Sequence, residues 1–497
     1  MDASGASPGA GPDPGPPPAD RYESPLVERY AGRAMAELFS PRRRVLVWRD
    51  LWIALARAER ELGLPVSEAQ VRALEAARDR VDLARAAEIE RRTRHDVMAH
   101  IRHYGEQAEA ARPIIHLGAT SAYVTDNADL VLAREALALV RGLLLAAIDA
   151  LAAFAARWRA EPCLAYTHFQ PAQLTTVGKR AALWLQDLVL DHAEVARREE
   201  EMPFLGVKGT TGTQASFLAL LGGDHEKVRR LDRLVAERLG FRAPLPVSGQ
   251  TYPRKVDHLV LAALAGVAAS ASKMANDVRL LQGLSEVEEP FEAEQVGSSA
   301  MAYKRNPMRS ERIGSLARFV IAEAQNAPLT AAAQWLERTL DDSANRRLAV
   351  PHAFLATDAI LRLLTNVARG LVVYPRVIAA AVRRELPFML TEDALMLATR
   401  AGGDRQALHE RIRVHAMEAR RRAREEGAEN DLLERLERDP ALAAAAAEVR
   451  ALADPRRHVG RAPEQVDEYL RDVVLPLLEG ERPRLERAAA DAGEVRV

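Results

Sequence analysis

Residues 127–160 read NADLVLAREALALVRGLLLAAIDALAAFAARWRA. The stretch holds no proline and one glycine, Gly142. A run this long without a breaker exceeds an ordinary globular helix and predicts a member of a long-helix bundle. Leu143, Leu144, Leu145, Ala146, Ala147 and Ile148 are consecutive. At 3.6 residues per turn they place apolar side chains all around the axis, so no face is left for water. Cover is expected from the same chain and, where that falls short, from further copies of it. Residues 255–289 have the same character, with Gly266 and Gly283 as the only glycines and no proline. Ala, Leu, Arg and Glu dominate elsewhere, while aromatic residues make up 5%. The expected fold is all-α.

Outward from this core three regions emerge. Residues 21–120 read as shorter, mixed-charge helices broken at Gly63-Leu64-Pro65 and Arg112-Pro113. Residues 121–373 carry the long apolar helices. Residues 374–497, opened by Tyr374-Pro375, are helical and highly charged, with Arg420 to Glu426 a solvated face. Residues 1–20 are rich in Gly, Pro, Ala and Ser without an apolar core, which predicts a disordered tail and no signal peptide. A net charge of −1 over 497 residues gives no bulk footprint for nucleic acid or an acidic membrane. Cys163 is the only cysteine, so no intrachain disulfide can form and a reducing, cytoplasmic setting fits. The longest uncharged apolar run of note, Leu259 to Ser272, ends at Lys273 and is too short for a bilayer.

Function is sought where the helical pattern breaks. Gly297 to Pro307 reads GSSAMAYKRNP and combines hydroxyls, small residues, a cation and an amide. Such groups can stabilise an oxyanion and lower the pKa of a serine hydroxyl, though many Gly/Ser loops are only connectors. Thr167 to Gln173 carries His168, suited to acid–base work; a lone histidine is more often a packed loop residue, here before a helix capped by Thr175 or Thr176. Arg94-His95-Asp96 precedes His100 and His103. That spacing lacks the His-Glu-x-x-His pattern of a zinc site. A polar helix face or an anion site with Asp96 orienting His95 fits it better. Lys208 to Gln214 (KGTTGTQ) could cradle phosphate on its amides or be a capped turn. Arg338 to Arg347 (RTLDDSANRR) could clamp a carboxylate or phosphate, unless Asp341 and Asp342 neutralise its arginines.

Together these islands resemble the fumarase/aspartase superfamily, and within it the adenylosuccinate lyase family. The loop 297–307 is similar to the superfamily signature Gly-Ser-Ser-x-Met-x-x-Lys-x-Asn-Pro. The finer likeness lies in Ser24-Pro25-Leu26 with Arg29-Tyr30, Thr93 to Asp96, His116 to Ser121, Thr167 to Gln173, Lys208 to Phe217, Ser248 to Asp257 and Glu337 to Arg347. The highly charged C-terminal third shows little motif. One departure stands out: the signature usually has proline after its methionine, and here Ala302 follows Met301. Losing proline loosens the backbone.

The resemblance implies three mainly helical domains and a homotetramer around a central bundle, with active sites shared between subunits. It implies no metal and no organic cofactor. The implied reaction is β-elimination of fumarate from adenylosuccinate, giving AMP, and from the succinylated imidazole-carboxamide ribotide of purine biosynthesis. Ser298 would be the base and His168 the acid, with Lys304 and Asn306 holding carboxylate oxygens and His95 a further catalytic residue. Arg29, Tyr30, Arg94, His95, Asp96, Thr120, Ser121, Gln250, Arg312, Arg338, Ser343 and Arg347 match substrate-binding positions. A sister enzyme such as argininosuccinate lyase would share the Ser298 loop without needing the nucleotide phosphate site. A catalytically retired scaffold would be expected to have lost Ser298, His168 or Lys304.

Overall fold

The breaker-free stretch folds as one helix, Ser121–Arg157, and residues 143–148 are all buried. The chain is seen in a computed structural model that describes residues 22–451 and 453–490; the tail reading for residues 1–20 lies outside them. Its helices include, in chain order, α1 (Pro41–Glu61), α2 (Leu83–Thr93), α3 (Asp96–Gln107), α4 (Ser121–Arg157), α5 (Val177–Glu200), α6 (Lys255–Gly283), α7 (Met308–Glu323), α8 (Asp342–Gly370), α9 (Pro375–Met389), α10 (Arg405–Glu425) and α11 (Arg482–Ala490). Helix α4 is the axis. It packs on α1, α5 and α8, and α11 returns from the C-terminal end to lie along it. Arg141 joins α4 to Glu199, Glu200 and Glu481, and Gly142 lets the α11 backbone approach, since a Cβ there would lie 3.2 Å from Ala488.

The fold is all-α, with two small exceptions. Strands β1 (Pro162–Thr167) and β2 (Gln170–Thr176) form a hairpin, and β3 (Val287–Glu288) pairs with β4 (Val372–Val373). The hairpin ends where Thr176 caps α5 by accepting from the Lys179 amide, 3.1 Å.

Two expectations change here. The apolar run in α4 is fully covered by its own chain, so it does not by itself require a partner. Helix α6 does leave a face open: only half of its most apolar window is buried, and Leu259 and Leu280 reach solvent. Second, reading charge-free runs missed that α4, α6 and α8 are each long and apolar enough to cross a membrane. In α4 and α8 most of that apolar window packs inside the protein.

Candidate active site

Three helix N-termini converge on one cleft of about 510 Å³: α3 at Asp96, α4 at Ser121 and α8 at Asp342 and Ser343. Their aligned dipoles favour anions. His95 is the N-cap of α3; its Nδ1 accepts from the Met98 amide at 3.3 Å and its Nε2 lies 3.4 Å from Ser121 Oγ. Arg94, one residue earlier, ends α2 with φ at 53°, a left-handed turn that sharply separates the two helices. Arg347 meets Asp96 at 3.3 Å across the cleft. Gln250 also lines it, its side chain donating to the Thr210 carbonyl at 2.8 Å.

Beneath lies a buried ionic network. Arg254 donates to Asp342 at 2.6 Å and to Asp126 at 2.8 Å. Arg346 pairs with Asp257 at 2.6 Å and Asp129 at 3.0 Å, and also donates to the Tyr252 oxygen. Tyr252 donates to Asp257 at 2.6 Å. Burial raises its phenol well above the ordinary value, so the proton stays on. Arg338 holds both oxygens of Asp342, at 2.9 and 3.0 Å. Burial raises the Asp342 carboxyl, but Arg254 and Arg338 outweigh it and keep the group below its usual range. Six arginines and six carboxylates line or floor the cleft, so its formal charge cancels. Anion preference must come from placement: Arg254 and Arg346 are tied to buried acids, whereas Arg44, Arg94 and Arg347 stand with the helix N-termini.

The loop 297–307 is built differently. Ser298 Oγ accepts from the Met301 amide at 3.1 Å and the Ala300 amide at 3.3 Å. The Asn306 side chain closes the neck by donating to the Gly297 carbonyl, 2.7 Å. A Cβ on Gly297 would collide with the Lys304 carbonyl, so that neck requires glycine. Lys304 and Tyr303 point to solvent. Met301 to Lys304 is a β-turn closed by the Lys304 amide and Met301 carbonyl, 3.0 Å, with Ala302 at its second position.

His168 sits at the tip of the β1–β2 hairpin. Thr167 pairs with Gln170, leaving His168 and Phe169 as a two-residue turn with φ of 51° and 55°. That is type I′ geometry, normally given to Asn-Gly, and it strains two side-chain-bearing residues. The Phe169 ring stacks on Tyr166 at 5.6 Å, and Tyr166 donates to Glu286 at 3.3 Å. Both contacts brace a turn that holds His168 exposed.

One chain therefore brings Arg94, His95, Asp96, Ser121, Gln250, Arg338, Ser343 and Arg347 to one cleft, with Thr120 as the N-cap of α4 beside them. It places Ser298, Lys304 and Asn306 on a separate loop and His168 on a separate hairpin. Tyr30 and Arg312 form a third group, with Arg312 over the Tyr30 ring at 5.3 Å and Arg29 next to Tyr30 in the chain; none of these seven residues lines the cleft.

A family model described as lyase matches residues 33–322, and one described as adenylosuccinate lyase C-terminus matches residues 387–469. Adenylosuccinate lyase of Schizosaccharomyces pombe is 52% identical over 90% of this chain and 94% of its own. That of Saccharomyces cerevisiae is 51% identical over 92% and 96%. The chain belongs to the adenylosuccinate lyase family. A solved fumarate lyase from Mesorhizobium shares the fold, with a TM-score of 0.77, 26% identity and coverage of 90% of this chain and 99% of that one. A 3-carboxy-cis,cis-muconate lactonizing enzyme from Pseudomonas putida, 23% identical with a TM-score of 0.76, extends the fold likeness over 94% of this chain and 99% of its own.

The family match reaches into the C-terminal third, where the sequence reading found little motif. The structure also adds to two islands. Lys208 is buried and paired with Asp232 at 2.5 Å, so its charge takes no part in any cradle formed by the amides of that loop. His100 and His103 belong to the packed interior: His100 stands edge-on to Trp48 at 5.4 Å, and burial pulls it down to about 4. Only His95 of that trio faces the cleft. Among the described residues no group of three His, Cys, Asp or Glu side chains could hold a metal ion. Asp126, Tyr252, Arg254, Asp257 and Arg346 were not singled out from sequence. Their signals were that Tyr252, Arg254 and Asp257 fall inside the 248–257 motif and Arg346 inside the 338–347 stretch.

Proposed function

We propose that this protein cleaves adenylosuccinate to AMP and fumarate, and releases fumarate from the succinylated imidazole-carboxamide ribotide. The observation that carries this reading is identity above 50% to two adenylosuccinate lyases across nearly their whole length.

Ser298, as alkoxide, removes the proton from the carbon next to a substrate carboxylate. The electron pair is held as a dianionic aci-carboxylate, then expels the nitrogen as the C–N bond breaks, and that nitrogen takes a proton from His168. Products are fumarate and the amine. The weak carbon acid makes stabilisation of the dianion the main task, and fixed donors do this best. Lys304 and Asn306 serve that role. Two amide hydrogen bonds to Ser298 Oγ favour its ionised form and so support it as base. The cleft arginines, with His95 and the helix N-termini, bind the nucleotide phosphate and carboxylates. Ser298, His168 and the Tyr30–Arg312 pair do not line the cleft of their own chain, which supports a homotetramer whose sites combine loops from several subunits. The open face of α6 and the exposed Leu329, Trp335, Leu336 and Leu340 are surfaces for that assembly. In this reading the chain has three domains, 21–120, 121–373 and 374–497, and is a cytoplasmic enzyme that needs neither metal nor organic cofactor.

The test is turnover on a panel. Fumarate release from both nucleotides, unchanged by chelators, is expected. Robust turnover of argininosuccinate or malate with none from either nucleotide refutes the assignment.

A further inference from the structure

Loop 297–307 leads directly into α7, and the start of α7 has no local cap. Its N-cap residue is Pro307, whose side chain makes no capping bond. The first-turn amides are met instead from the other stem of the loop. Glu289 is only 3% exposed, and its carboxylate accepts from the Arg309 amide at 2.9 Å, the Ser310 amide at 2.9 Å and the Ser310 hydroxyl at 2.8 Å. A carboxylate on N-terminal helix amides gains from both charge-assisted hydrogen bonds and the helix dipole. Glu289 is itself held. Its amide donates to Gln282 at 3.2 Å, and the Gln282 side chain donates to the Arg305 carbonyl at 2.9 Å. The fully buried Arg309 reaches back to the Pro290 carbonyl and to Glu292. These bonds fasten the two ends of a twenty-residue excursion to each other, while its tip, Tyr303, stands in solvent.

We propose that Glu289 is a positioning residue for the base loop. By fixing the first turn of α7 against the opposite stem, it sets the place from which Lys304 and Asn306, and through the Asn306–Gly297 neck Ser298, are presented. This rests on the reading of Ser298 as base. A carboxylate that capped α7 and did nothing more would affect stability and leave turnover per folded molecule alone.

The experiment compares full-length Glu289→Gln, Glu289→Ala and Ser310→Ala with the native protein, and uses Ser298→Ala as benchmark. The readouts are kcat and KM for adenylosuccinate, thermal midpoint, oligomeric state and hydrogen exchange. Glu289→Ala is expected to lower kcat at least about tenfold while KM moves less than about threefold. Glu289→Gln and Ser310→Ala, which each keep part of the bonding, are expected to lower kcat about threefold or more. Faster exchange should be confined to residues 293–316. If Glu289→Ala fails to assemble, the two milder variants decide. Native kcat within about twofold in every folded variant, or activity loss matched by loss of folded protein, overturns the proposal. Native-like turnover by Ser298→Ala would instead overturn the assignment of the base, whatever Glu289 does.

Discussion

The Met301 amide donates to Ser298 Oγ at 3.1 Å, so the loop carries its own anion-stabilising donor for the hydroxyl expected to ionise. A serine hydroxyl is a poor base at neutral pH unless its alkoxide is preferentially bound. The two amides do this from the backbone, provided the turn is formed. Ser298→Ala should keep the turn and the anion-binding groups. Its kcat is expected to fall at least about a thousandfold with substrate still bound, as read by equilibrium binding beside steady-state rates. Near-native turnover would move the proton transfer to another group, Ser299 first.

The long helices were legible because periodicity and absence of breakers are local signals. The hairpin that carries His168 was not. Pro162 and Pro171 argue against strands, and His168-Phe169 is not a turn dipeptide. It forms because β1 and β2 are held by the flanking α5 and α9, and because Tyr166 braces the turn. The stretch 338–347 offers arginines for a clamp together with Asp341 and Asp342 to neutralise them, and Asp342 does hold Arg338. The link from Asp126 through Arg254 to Asp342 spans over two hundred residues of sequence. No local pattern marks it, and only the packing of α4, α6 and α8 brings it together.

Ala302 occupies the second position of the Met301–Lys304 turn, where proline is favoured in the common turn types. Replacing it removes freedom from the open loop and leaves the reacting groups alone. Ala302→Pro is expected to slow hydrogen exchange across residues 297–305 and to hold or raise kcat. Unchanged exchange together with unchanged kinetics would show the departure from the signature to be neutral.

Glu59 on α1 is fully buried, and neither carboxyl oxygen has a hydrogen-bond partner among the described residues. Burial raises it from 4.5 to about 9. The folded protein therefore keeps a proton that the unfolded chain releases. Stability unaffected by this group exists only below about pH 4.5; it falls as pH rises toward 9, by up to about 1.4 kcal/mol per unit, and levels off above. Glu59→Gln removes the titration while keeping size and shape. Its thermal midpoint should exceed the native one by an amount that grows between pH 5.5 and pH 8.5. A difference that does not change with pH would show that Glu59 finds a partner in solution.

His168 and Ser298 stand on different elements and neither lines the cleft, which is the ground for the claim about assembly. If each site takes His168 and Ser298 from different subunits, His168→Ala and Ser298→Ala proteins are each nearly inactive alone. Mixed tetramers, made by unfolding and refolding the two together, contain some sites in which both residues are native. Activity then returns without any new mutation, toward about a quarter of native at equal mixing when two chains are drawn at random for each site. If both residues come from one chain, every site in the mixture lacks one of them and no activity returns. Fumarate release before and after co-refolding is the measurement. Size-exclusion chromatography verifies tetramers, and a mass-tagged variant verifies exchange. Exchanged tetramers that stay at the level of the separate mutants would place the acid and the base on the same chain.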